Sequence, residues 1–159
     1  MQGRSITLSI DSRLDSVVTL GWAVNHITRR HMRLIELDAY HVELCVVEAV
    51  NNVIKHAYAE EAWHEVSVTV GLRDDRTEFR VCDRGSTMPK HVATSNPSLE
   101  FDPDDRDALP EGGMGHFIIH QVIDKVSYEV VDGTNVLELV KYLEPQTADP
   151  PSGQTPSIT

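Results

Sequence analysis

Between about Asp38 and Ala59 the sequence carries a helical pattern whose polar side is narrow, and whatever the chain folds into must accommodate it. At about 100° per residue, Glu48 set at 0° places Asn52 at about +40° and Lys55 at about −20°. Val42, Val46, Ala49, Val50 and Val53 crowd the opposite arc, and Leu44 and Cys45 flank the polar stripe. A carboxylate and an amide between apolar surfaces must find partners, because each left buried and unpaired costs about 1–3 kcal/mol. A polar ligand or a metal ion meets that need, and the oxygen of an Asn side chain suits Mg²⁺. The same residues also suit the solvated side of an amphipathic helix.

Such a helix needs an apolar surface to rest on, and the flanking sequence supplies strands. Ile6, Leu8 and Ile10 alternate with Ser5, Thr7 and Ser9, which predicts a strand over 5–10. Asp11 or Ser12 then caps a helix running to about His31. Strands near 65–72 and 77–83 are joined by Arg73-Asp74-Asp75-Arg76, a connection of hairpin length. A second hairpin, 126–131 and 136–143, turns at Asp132-Gly133, and a short helix from about Gly113 to Asp124 precedes it. Residues 84–111 hold four prolines and the acidic cluster Glu100, Asp102, Asp104, Asp105 and Asp107. A long stretch without regular structure inside a domain is usually functional, such as a lid, or disordered. From Glu144 onward Pro, Ser, Thr and Gly dominate, predicting a disordered tail over 144–159. The expected architecture is α+β, a mixed sheet covered by helices on one face.

Composition narrows the partners. A chain of 159 residues with 40% hydrophobic and 25% charged residues is the size of one globular domain. Fourteen Lys and Arg against twenty-five Asp and Glu give a net charge of −11, which opposes binding to nucleic-acid phosphates or anionic lipid. No run of about eighteen apolar residues is present to span a bilayer. Cys45 and Cys82 lie in apolar runs and read as buried free thiols. A cytoplasmic location, without direct nucleic-acid or membrane contact, is the expectation.

Two further constellations carry chemistry. Val81-Cys82-Asp83-Arg84-Gly85 ends an apolar strand with an acid that can accept a hydrogen bond from an exocyclic amine such as that of adenine. Asp-X-Gly alone is more often a turn. Gly112-Gly113-Met114-Gly115 stands ahead of an apolar helix, where glycines let the backbone approach a phosphate and the helix N-terminus offers free N–H groups. The same glycines also suit a hinge with no ligand. Neither a Walker A loop nor a dinucleotide fingerprint is present.

Together, Glu48-Ala49-Val50-Asn51-Asn52-Val53-Ile54-Lys55-His56-Ala57-Tyr58, Asp83-Arg84-Gly85, Gly112 to Gly115 and Gly133-Thr134 resemble the N, G1 and G2 boxes and closing threonine of the GHKL (Bergerat) ATPase superfamily. Within it they look most like the anti-sigma-factor serine kinases of the RsbW type. The resemblance runs over residues 5–143, with the lid at about 84–111. It implies that Asn52 holds Mg²⁺ against the triphosphate of ATP and that Glu48 is the general base for a protein serine. It implies that Asp83 bonds the adenine amine and Gly85 allows close approach to the ring. Gly112, Gly113 and Gly115 would bind phosphates, and Thr134 would support the adenine end. It further implies a serine/threonine kinase that sequesters a sigma factor, phosphorylates a STAS-domain antagonist and forms a homodimer. A nucleotide-gated binding module that holds a partner without phosphorylating it is the alternative. His116 departs from the family pattern, which commonly has an apolar residue there.

Overall fold

The computed structural model describes residues 3–32, 36–95 and 114–143. The strands β1 (Arg4–Asp11), β2 (Glu65–Leu72), β3 (Arg76–Asp83), β4 (Lys125–Val131) and β5 (Thr134–Tyr142) form one sheet in the order β1-β2-β3-β5-β4. The helices are α1 (Leu14–Met32), α2 (Glu36–Asn52), α3 (Lys90–Ala93) and α4 (Met114–Val122).

The α+β arrangement agrees with the sequence, but the expected mixed sheet is antiparallel in every pairing. Connectivity explains this. Two helices, α1 and α2, separate β1 from β2, so the chain returns to the end of the sheet it left and β2 runs against β1. Tight turns then reverse the chain between β2 and β3 and between β4 and β5, which only antiparallel neighbours permit.

Alternation along each strand puts one side on the helices. Val66, Val68 and Val70 of β2, Phe79 and Val81 of β3 and Leu139 of β5 are buried and share one cluster with Leu20 and Val24 of α1, Val42, Val46 and Val50 of α2 and Ile119 of α4. The other side is polar. Thr7 and Thr69 meet across β1 and β2 with their hydroxyls 2.9 Å apart, and Arg80 pairs with Glu138 at 3.1 Å. Ser12 turns inward rather than capping α1 alone: its N–H donates to the His64 carbonyl at 2.8 Å and its hydroxyl to the Glu61 carbonyl at 2.5 Å. Burial pushes the Cys45 thiol up to about 12, as suits an inert core cysteine. Trp22 and Trp63 are 68% and 78% exposed and so do not belong to the core.

The predicted helix over 38–59 divides in two. After Asn52 the chain widens into a π-helical turn, Val53–Ala57, which ends at Tyr58. Within the predicted lid, Lys90–Ala93 forms the short helix α3 where the sequence suggested no element. The cluster Glu100 to Asp107, the glycines Gly112 and Gly113, and the tail over 144–159 lie outside the described residues.

Candidate active site

Four elements meet at one end of the sheet: the C-terminal part of α2 with its π-turn, the end of β3, the first turns of α4 and the start of β5. Between them is a cavity of about 250 Å³, just under the range of about 300–1,000 Å³ usual for ligand pockets. Its walls are largely apolar, with Val53, Ile119 and Leu137 among them, and the polar groups reaching it include Asn52, Asp83, Asn135 and His116. An apolar slot with few convergent polar groups suits a flat heterocycle.

Asp83 ends β3 at an inward position and is buried. Its Oδ1 accepts from the Gly85 N–H at 2.8 Å and from the Asn135 Nδ2 at 2.8 Å. Asn135 donates also to the Gly85 carbonyl at 3.2 Å. Among the described residues both bonds to Asp83 fall on one oxygen, which leaves Oδ2 to accept from a ligand. Burial pushes the Asp83 carboxyl above its ordinary range, while the donors from Asn135 and Gly85 act against that. A carboxylate fixed in direction at the end of an apolar slot is a receptor for an amino group on a ring.

Asn135 was not singled out by the sequence, which favoured its neighbour Thr134. The register explains the difference. Asn135 stands opposite Asp83, whereas Thr134 pairs with Val131 across the hairpin turn and is not part of the cavity wall. The signal was present: Asn135 shares its phase with the inward Leu137 and Leu139, so a polar residue there is an anomaly on a core face. Two tyrosines also brace the site unannounced. The Tyr58 hydroxyl donates to the Glu65 carbonyl at 2.8 Å and accepts from the Arg84 N–H at 2.9 Å; that of Tyr128 accepts from the Met88 N–H at 3.1 Å.

Gly85 has a structural task in the fold itself. A β-carbon there would lie 2.5 Å from the carbonyl oxygen of Ala57 and 2.7 Å from its carbon, so the space is filled by the backbone of the π-turn. That same Ala57 carbonyl accepts from the Ser86 N–H at 2.8 Å. The glycine therefore lets the end of β3 lock onto the end of the helix. Gly85→Ala is expected to cost about 1–3 kcal/mol, because neither backbone can yield without breaking this bond. A lowered urea midpoint checks this; an unchanged midpoint would show that the contact relaxes freely.

Glu48 and Asn52 are half-buried, one turn apart on α2, and Asn52 reaches the cavity. Lys55, assigned to the same stripe, is exposed because the wide turn alters the projection after Asn52. Gly115 lies in the first turn of α4 against Glu48. His116 follows it into the cavity wall. Burial pushes the His116 pKa down, Glu48 pulls it up, and His120 and His56 push it down further.

A lowered folded value means that the unfolded chain takes the proton more readily. The stability connected with His116 is then complete above the ordinary histidine value of about 6.5 and is lost as pH falls below it. The denaturant midpoint of the parent is expected to fall more between about pH 7.5 and 5.5 than that of His116→Gln. Equal slopes in both proteins would assign the pH dependence to other groups.

No group of three or more His, Cys, Asp or Glu suited to a metal occurs among the described residues. Among those residues no helix is long and apolar enough to cross a membrane.

Comparison with known proteins agrees with this geometry. Residues 10–141 match the family described as histidine kinase-like ATPase domain. The chain is 30% identical over 112 residues to the serine-protein kinase RsbW of Bacillus licheniformis, covering 70% of this chain and 69% of that one. It is 30% identical over 108 residues to the serine-protein kinase RsbW of Bacillus subtilis strain 168, covering 68% and 67%. Among solved structures it superposes on the mycobacterial sensor histidine kinase MprB with a TM-score of 0.50, at 15% identity, covering 89% of this chain and 100% of that one.

Proposed function

We propose that this chain, which belongs to the histidine kinase-like ATPase domain family, is an ATP-dependent protein serine/threonine kinase that also acts as an anti-sigma factor. The observation that carries the reading is the convergence on one cavity of two different ends. At one end Asp83 is aimed by Asn135 and Gly85, and at the other Asn52 lines the cavity, one helical turn from Glu48. The names of the relatives, serine-protein kinases, support it.

In this reading residues 5–143 are the catalytic unit. Asp83 accepts from the adenine amine, with Asn135 closing that end and Thr134 supporting it from outside the wall, and the apolar wall of Val53, Ile119 and Leu137 excludes water from the ring faces. Gly112 and Gly113 leave room for phosphates ahead of α4, and Gly115 offers them its backbone N–H in the first turn of the helix. Glu48 takes the proton of the attacking serine hydroxyl. The residues present also fit Mg²⁺. Asn52 offers one neutral oxygen at the cavity, and this ion usually keeps several waters and takes its remaining ligands from phosphate oxygens. When bound it neutralises charge on the transferring phosphoryl group. Phosphoryl transfer needs little more from a protein than position and fixed charge.

The partners that follow are a STAS-domain antagonist as phosphate acceptor, a sigma factor as the sequestered protein, and a second copy of the chain. The experiment is transfer of labelled phosphate from ATP to a STAS-domain acceptor, with Asn52→Ala as the control. Transfer that disappears in the control is expected. Tight ATP binding with no phosphoprotein formed would replace the kinase by a nucleotide-gated binding module, and transfer that survives the control would remove the role of Asn52.

A further inference from the structure

The helices α2 and α4 pack in a definite register. The Cys45 thiol lies 3.8 Å from the Ile118 carbonyl, and three residues along, Gly115 meets Glu48. The two contacts step in opposite directions along the chain, from 45 to 48 on one helix and from 118 to 115 on the other, as antiparallel neighbours require. A β-carbon on Gly115 would fall in the space taken by the Glu48 side chain, with the carboxylate carbon, Oε1 and Cγ as its nearest atoms.

This differs from Gly85, whose missing β-carbon is answered by a rigid backbone. At Gly115 the obstacle is the far end of a flexible side chain, so the fold can absorb a methyl group and the carboxylate cannot keep its place. His116, the next residue, lies near enough to Glu48 for that carboxylate to favour its protonated form.

We propose that Gly115 is a positioning residue for Glu48: the bare Cα provides the seat on which the carboxylate rests, and so fixes where a proton is taken. The proposal rests on the reading of Glu48 as the general base. It gives this glycine a task separate from binding phosphate.

The test is a kinetic cycle over positions 115 and 48. Gly115→Ala is expected to lower kcat for phosphate transfer about 10–100-fold, since displacing a reacting group by about 1 Å can cost about 100-fold. Its ATP dissociation constant should stay within about threefold of the parent, and its unfolding midpoint should hold or rise, because Ala favours a helix over Gly. Glu48→Asp draws the carboxylate back by one methylene, so adding Gly115→Ala to it should cost far less than in the parent. Costs that multiply independently in the two backgrounds, or ATP affinity lost in step with kcat, would overturn the positioning role. Glu48→Gln reads the premise separately: if that variant transfers at the parent rate, the base assignment itself fails, whatever Gly115 does.

Discussion

Glu48→Gln is expected to lower phosphate transfer to a protein serine by about 10²–10⁴-fold, the range over which a placed general base contributes to a rate. The amide keeps the size and shape of the carboxylate, so it still rests on Gly115 and the packing of α2 on α4 is preserved. It cannot take a proton. ATP affinity should therefore remain near that of the parent, because the residues proposed to grip the base and the phosphates are untouched. Single-turnover transfer and equilibrium ATP binding, measured on the same preparation, separate the two effects. A variant with parental transfer would deny Glu48 any chemical part; one with lost transfer and equally lost ATP binding would make it a binding group.

The second large effect is expected at Asp83, where two substitutions pull apart fold and recognition. Asp83→Ala leaves the Asn135 Nδ2 and the Gly85 N–H without their shared acceptor. Each buried group left unpaired costs about 1–3 kcal/mol, so the unfolding midpoint should drop sharply along with ATP binding. Asp83→Asn is gentler. Its carbonyl oxygen can take the place of Oδ1 and keep both donors satisfied, which holds the loop in place. Its amide nitrogen then stands where Oδ2 did and presents a donor to the donor of the adenine ring. Loss of a charge-assisted bond of about 1.5–3 kcal/mol corresponds to roughly 10–150-fold in ATP affinity, with stability nearly intact. Parental affinity in Asp83→Asn would remove the base-recognition role.

The sheet was legible because its strands obey a fixed period: Leu8 and Ile10, then Val66, Val68 and Val70, then Phe79 and Val81 all face the helices. The motif residues were legible for another reason, since Glu48, Asn52, Asp83 and Gly85 combine residue types and spacings that few folds require together. What escaped the sequence depended on three-dimensional register or on departure from ideal geometry. Asn135 showed in the sequence only as a polar residue in an apolar phase, and its partnership with Asp83 emerged once β5 was aligned with β3. Lys55 was misplaced because a projection at constant angle cannot foresee a π-turn. The need for glycine at 85 was visible, but its cause, the Ala57 backbone, lies far away in sequence. Antiparallel pairing throughout followed from two helices between β1 and β2, a count the sequence contained.

The helix that carries Glu48 and Asn52 ends on the Ala57 carbonyl, and that carbonyl is fastened to Ser86 beside Asp83. Both ends of the cavity are thus attached to one stiff rod. Ala57 lies nine positions beyond Glu48, at most about 13 Å at the α-helical rise of about 1.5 Å per residue and less over the π-turn. The rod is a ruler. On the proposed function, a nucleotide anchored by its base at Asp83 must span that length to bring its terminal phosphate to Glu48, and one with fewer phosphates is held by the same anchor yet falls short of the mark.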